Sequence, residues 1–198
     1  MEIIYYKCLV RYALLASRSA HLGYNLVNPT PMGDIFYQPM PAEGNDAGYV
    51  TDVGGIYSDS AFVRYSDVGP YVYTVPLGLH LGMVAGYHDP WNDEYLYMSG
   101  ISSGWHGGTV LLTHVTLRDG QPFPILHDQV IMSYSTLPGD SGSLVLDYGR
   151  EILPGLAFVD ICGINKGEIT EGDYQGDTLV SPQSGVYTDI HARPLIVI

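Results

Sequence analysis

Positive charge is scarce in this chain. Eight Lys plus Arg stand against 21 Asp plus Glu, a formal charge of −13 with histidines neutral. A surface this acidic is repelled by phosphate backbones and by anionic lipid, which argues against nucleic acid or a membrane as partner. Long apolar runs are also missing: nowhere do 18 uncharged apolar residues follow one another, so no transmembrane helix is predicted. The stretch Cys8 to Ala20 superficially resembles a secretory leader. Lys7, Arg11 and Arg18 break it up and Glu2 stands where a basic start belongs, so no cleaved leader is expected and localisation stays open. With two cysteines, Cys8 and Cys162, the chain can form at most one internal bridge, and their sequence separation does not say whether they meet. Helical periodicity is absent too, since no segment keeps apolar residues at 3.6-residue spacing for three turns.

What is present points to β-structure. Of 198 residues, 24 are Gly, 13 Pro and 17 Tyr, a mixture that breaks helices while supplying turn and strand formers. A hydrophobic share of 46% against 15% charge excludes a disordered chain. Short apolar runs alternate with turn clusters and predict strands over Ile3–Val10, Tyr12–Ser17, Asp34–Gln38, Ala61–Tyr65, Leu81–Gly86, Tyr95–Ile101, Thr109–Leu117, Gln129–Ser133, Ser143–Asp147, Gly155–Ile161 and Gly185–Asp189. His191–Ile198 reads as a helix or a last strand. The Pro- and Gly-containing stretch Tyr65–Gly78 is the best crossover between an N-terminal half, 1–72, and a C-terminal half, 73–198.

One segment carries chemistry: Leu137-Pro138-Gly139-Asp140-Ser141-Gly142-Ser143-Leu144-Val145. At this composition Gly-Asp-Ser-Gly arises by chance with a probability of about 0.02, so the motif outweighs an ordinary polar turn. Gly139 can adopt a backbone geometry closed to other residues, aiming its N–H and that of Ser141 at one point where an oxyanion would sit. Ser141 is then the candidate nucleophile, and the apolar run Leu144-Val145-Leu146 would anchor the turn in a core. A serine hydroxyl needs a base, itself oriented by a carboxylate. His21, at the end of the run Ala13–Ala20, is the candidate base, with Asp59 as its partner; Asp52 and Asp67 are the nearest substitutes for Asp59.

These pieces together resemble the trypsin-like serine proteases. Ser19-Ala20-His21-Leu22 is similar to that family's Thr-Ala-Ala-His segment, Asp59-Ser60-Ala61-Phe62-Val63-Arg64 to its Asp-x-Ala-Leu-Ile-Arg strand, and Gly139–Gly142 to its Gly-Asp-Ser-Gly, in the family's order His, Asp, Ser. Gly33–Pro39 resembles a Gly-Asp-x-Ile-x-Gln-Pro run of some bacterial and plant members, and Ser99–Gly104 with Gly107–Val110 resembles the hairpin opening their second barrel. The resemblance implies an all-β fold of two Greek-key β-barrels. The first would be short of a strand, because only 20 residues precede His21. It implies hydrolysis of a protein or peptide substrate through an acyl-enzyme, without a cofactor. In that scheme His21 takes the Ser141 proton, Asp59 orients the imidazole, and the Gly139 and Ser141 amides form the oxyanion hole. No Ile-Val-Gly-Gly-like start is present to supply an amine to Asp140, which therefore needs a different partner.

Six residues before Ser141, where a trypsin carries an Asp, stands Ser135, so the substrate pocket is expected to take a neutral, apolar or aromatic side chain. Asp89, Asn92, Asp93 and Glu94 could offer oxygens to calcium, but the pattern reads better as a polar hairpin tip around Trp91. His80, His88, His106, His114 and His127 lack the close pairing that zinc ligands show, so no metal is expected. The tyrosines recur in apolar strands and suit sheet-face packing. They also support the rival reading, a protease-fold binding or structural protein that does not cleave, for instance a virion component.

Overall fold

In the computed structural model, residues 4–7, 11–16, 35–37, 46–64, 69–73, 81–100, 102–117 and 125–197 are described. Fourteen strands and one helix occupy them. A six-stranded antiparallel sheet runs in the order β14-β1-β2-β5-β4-β3, from β1 (Ile4–Lys7), β2 (Arg11–Ala16), β3 (Ile35–Tyr37), β4 (Asp46–Val53), β5 (Ala61–Arg64) and β14 (Ala192–Pro194). β14, from the C-terminal half, pairs with β1 at one edge of this sheet, placing Tyr5 opposite Pro194.

The second sheet runs β11-β8-β9-β10-β13-β12-β7-β6 and closes on itself through an extra pairing of β11 with β12. Its ring comprises β8 (Tyr95–Gly100), β9 (Gly104–Leu117), β10 (Leu126–Met132), β13 (Thr178–Pro182), β12 (Leu156–Glu168) and β11 (Leu144–Leu153). Six strands joined into a ring leave no edge within it, which makes this sheet a barrel. Outside the ring, β7 (Leu81–Tyr87) adds to β12 in parallel, and β6 (Tyr71–Tyr73) adds to β7.

Period-two alternation sorts the apolar side chains between two cores. Leu96, Met98, Val110, Val130, Met132, Val145, Cys162 and Val180 fill the barrel, with contributions from all six ring strands. On the other face of the same strands, Leu144, Leu146, Ile161 and Ile164 meet Phe62 of β5 and Val186 and Ile190 of the helix α1 (Gln183–Ile190). Leu144, Val145 and Leu146 are all fully buried, so the strand following the Gly-Asp-Ser-Gly turn is anchored on both faces.

Residues 185–189 form part of α1 and are not the expected strand. Their alternation is shorter than two helical turns, and the burial of Val186 and Ile190, four apart, favours the helical period. Strands β4, β6 and β13 were not anticipated. β6 and β13 are only three and five residues long, and β4 is interrupted by Gly and Asp, so none shows the longer apolar alternation that marks a strand in sequence.

Candidate active site

Ser141 lies on a doubled turn. Asp140 N–H donates to Leu137 O at 3.0 Å, closing a turn over Pro138 and Gly139, and Ser143 N–H donates to Asp140 O at 3.0 Å, closing a second over Ser141 and Gly142. Gly139 at φ +105° and Gly142 at φ +88° occupy backbone space that side chains disfavour. The turn is pinned to β12 by Gly142 N–H to Asn165 O and Asn165 N–H to Ser143 O, both 2.8 Å, and by Asn165 Nδ2 donating to Asp140 O at 3.0 Å. Ser141 itself is half-buried. A Cβ built on Gly167 would stand 3.5 Å from Ser141 Oγ, so the β12 backbone runs beside the hydroxyl. Among the described residues neither the Gly139 nor the Ser141 amide has a hydrogen-bond partner.

Asp140 finds its partner in the backbone. Its side chain, fully buried, accepts N–H groups from Ser102 at 2.8 Å and Ser103 at 3.2 Å through Oδ1, and from Leu137 at 2.9 Å through Oδ2. Burial acts to raise its pKa, but hydrogen bonds from Ser103, Leu137 and Ser102 outweigh that and hold the carboxyl below its ordinary range.

Asp59 sits in the buried Ser58-Asp59-Ser60 segment between β4 and β5. A chain of polar groups from the barrel holds its backbone: Asp59 N–H donates to Ser181 Oγ at 3.1 Å, Ser181 Oγ donates to Gln129 Oε1 at 2.9 Å, and Gln129 Nε2 donates to Tyr57 O at 2.8 Å. From the other side Asp189 Oδ2 accepts Tyr57 N–H at 3.0 Å, Ser58 N–H at 2.6 Å and Ser58 Oγ at 3.0 Å. Gly185, one helical turn before Asp189, lets α1 come so close that an added Cβ would stand 2.4 Å from Tyr57 O. Ser181 pairs in register with Ile164, next to the Asn165 that pins the Ser141 turn. Asp59 and Ser141 are thus attached to one short stretch of the β12–β13 pair.

His21 lies outside the described residues, as do Cys8, Asp67 and His80. Ser135 is exposed, and its carbonyl meets His106 Nε2 at 3.1 Å. Sequence reasoning missed Gln129, Ser181, Asn165 and Asp189, because each acts through a contact far along the chain. The acidic segment 89–94 joins β7 to β8, which pair with other strands and not with each other, so it is a connection and not the expected hairpin tip: Asp93 takes φ +67°, Asn92 and Asp93 are exposed, and Asp89 Oδ1 accepts Ser184 N–H at 2.8 Å.

No protein-family model matches the chain, and no curated protein is similar to it in sequence. Solved structures are similar in fold. Thermobifida fusca protease A superposes with a TM-score of 0.71 at 17% identity, covering 100% of this chain and 91% of that one. This chain has the fold of the chymotrypsin-like serine proteases. Nocardiopsis protease agrees, with a TM-score of 0.69 at 17% identity over 97% of this chain and 89% of its own. So does a chymotrypsin from Cellulomonas bogoriensis, with a TM-score of 0.66 at 19% identity over 93% and 86%. Within the chymotrypsin-like fold, the cage around Asp59 makes a local prediction. Asp189→Ala removes three acceptor contacts and should lower stability by about 2–3 kcal/mol. Thermal melts of the variant beside wild type check it.

Proposed function

We propose that this protein is a serine endopeptidase acting through Ser141, His21 and Asp59. The supporting observation is the Ser141 turn, whose serine stands between two glycines of positive φ with the Gly139 and Ser141 amides unpartnered among the described residues, in a chymotrypsin-like fold. Ser141 Oγ attacks the scissile carbonyl as His21 accepts its proton, and the carbonyl oxygen, now an anion, receives the two amides. Expulsion of the amine, protonated by His21, leaves an acyl-enzyme on Ser141, which water then hydrolyses. Asp59 holds the imidazole and stabilises its protonated form. A protein or peptide substrate with a neutral side chain near Ser135 fits this reading.

The pH–rate profile tests it. Turnover of a fluorogenic peptide mixture should rise with pH through one ionisation near neutrality, as the His21 imidazole loses its proton. Activity in His21→Ala equal to wild type, or a flat profile, would sink the assignment. Gly139→Val keeps its N–H but resists φ +105°, so the amide turns from the oxyanion position; acylation should slow by about 10²-fold, and the strained φ should cost about 1–3 kcal/mol of stability. Rates from single-turnover kinetics and a melt of the same variant will check it.

One observation favours a second reading. Tyr97 and Trp105 stack at 5.0 Å, Tyr148 meets both edge-on, and Tyr95, adjoining Tyr97, is 54% exposed. Such an aromatic face suits a binding module, which would carry no activated serine.

A further inference from the structure

Three side chains outside the proposed active site converge on one point. His88 Nε2 stands 3.6 Å from Glu94 Oε1 and 3.8 Å from Asp147 Oδ2, and all three atoms lie within 4.8 Å of one another. These separations are too long for hydrogen bonds. The two His88 separations are close to the edges of a tetrahedron about an ion with nitrogen and oxygen ligands at 2.0–2.2 Å, roughly 3.3–3.6 Å.

The surroundings prepare each donor. His88 Nδ1 lies 3.0 Å from the Asp89 carbonyl, which can only accept, so Nδ1 carries the proton and the Nε2 lone pair faces the two carboxylates. Glu94 Oε2 accepts Trp91 N–H at 3.1 Å, which turns Oε1 toward His88. The Glu94 side chain is only 6% exposed, and Oε1 has no hydrogen-bond partner. A buried carboxylate oxygen without a donor is costly, and a cation removes the cost. Trp91 stacks on the His88 ring at 4.8 Å, fixing its plane. Cys162 Sγ, a buried free thiol, lies 3.5 Å from His88 Nε2 and donates to that lone pair, a contact that a bound ion would replace.

We propose that His88, Glu94 and Asp147 form a zinc site. Imidazole and carboxylate donors at these spacings suit Zn²⁺ better than calcium, which takes six to eight oxygens and no imidazole. The ion ties the 88–94 turn, between β7 and β8, to β11. The histidine spacing in the sequence did not reveal the site, because the partners of His88 are carboxylates and one of them comes from a distant strand. This assignment is independent of the hydrolytic reading.

The test uses the whole chain, stripped with chelator and dialysed against zinc. One zinc per chain should bind with a Kd below about 10 µM, and 100 µM zinc should raise Tm by about 2 °C or more, reversed by EDTA. Cobalt in its place should give the intense visible absorption of a tetrahedral site. Glu94→Gln and Asp147→Asn, which preserve shape, should each weaken zinc binding at least about tenfold. Absence of binding in folded wild type, or affinity unchanged in both variants, would overturn the proposal. So would the faint spectrum of octahedral cobalt.

Discussion

Ser141→Ala is expected to lower peptide hydrolysis by about 10⁴-fold or more, to the level left by binding and the oxyanion hole alone. The loss should be kinetic and not structural. Ser141 is only half-buried, and its hydroxyl is not among the groups that close the doubled turn, which is held by backbone amides and by Asn165. The variant should therefore melt within a few degrees of wild type. A Ser141→Ala protein that keeps wild-type turnover, measured with the same peptide mixture, would exclude Ser141 as nucleophile whatever its melting temperature.

The opposite pattern is expected one residue earlier. Asp140→Ala deletes a buried carboxylate that accepts three backbone N–H groups and leaves those donors without a partner. A loss of about 3–5 kcal/mol follows, which for a chain of this size is a fall in Tm of roughly 10 °C. Activity should fall with it, because the same contacts shape the turn that presents Ser141. The pH dependence gives a second check. The folded pKa of Asp140 is lowered, so its contribution to stability is fully present above the unfolded carboxylate value near ~4 and is lost as pH falls through the folded value. The Tm gap between wild type and Asp140→Asn should accordingly narrow on acidification below about pH 4. A gap that widens there would contradict the amide cage.

The Gly-Asp-Ser-Gly turn is written locally, while the framework that holds it is not. Gly139-Asp140-Ser141-Gly142 was legible as a tight turn because its two positive-φ glycines and its closing backbone bonds lie within seven consecutive residues, although the Asp140 carboxylate reaches out to Ser102 and Ser103. Leu144–Leu146 was legible as a buried strand for the same reason. By contrast, the groups around Asp59 come from β10, β13 and α1, and no spacing in the sequence joins Gln129 to Ser181 or Asp189 to Ser58. Helix α1 was misread because Gly185-Val186-Tyr187-Thr188-Asp189 alternates like a strand. Only its packing on Tyr57 and Phe62 selects the helix. A last strand within 191–198 was one of two readings open, but its pairing with β1 was hidden, since it depends on the chain returning from the barrel to the first sheet. The cluster of His88 with Glu94 and Asp147 repeats the lesson at a second place: a feature made by three elements has no signature within any one of them.

The central claim is that Ser141 is an activated nucleophile, and fluorophosphonate labelling with mass-spectrometric mapping tests it without knowledge of the substrate. The account predicts one covalent adduct per folded chain, located on Ser141, absent in Ser141→Ala and strongly slowed in His21→Ala. Folded wild-type protein that takes up no label, or takes it elsewhere, would contradict it.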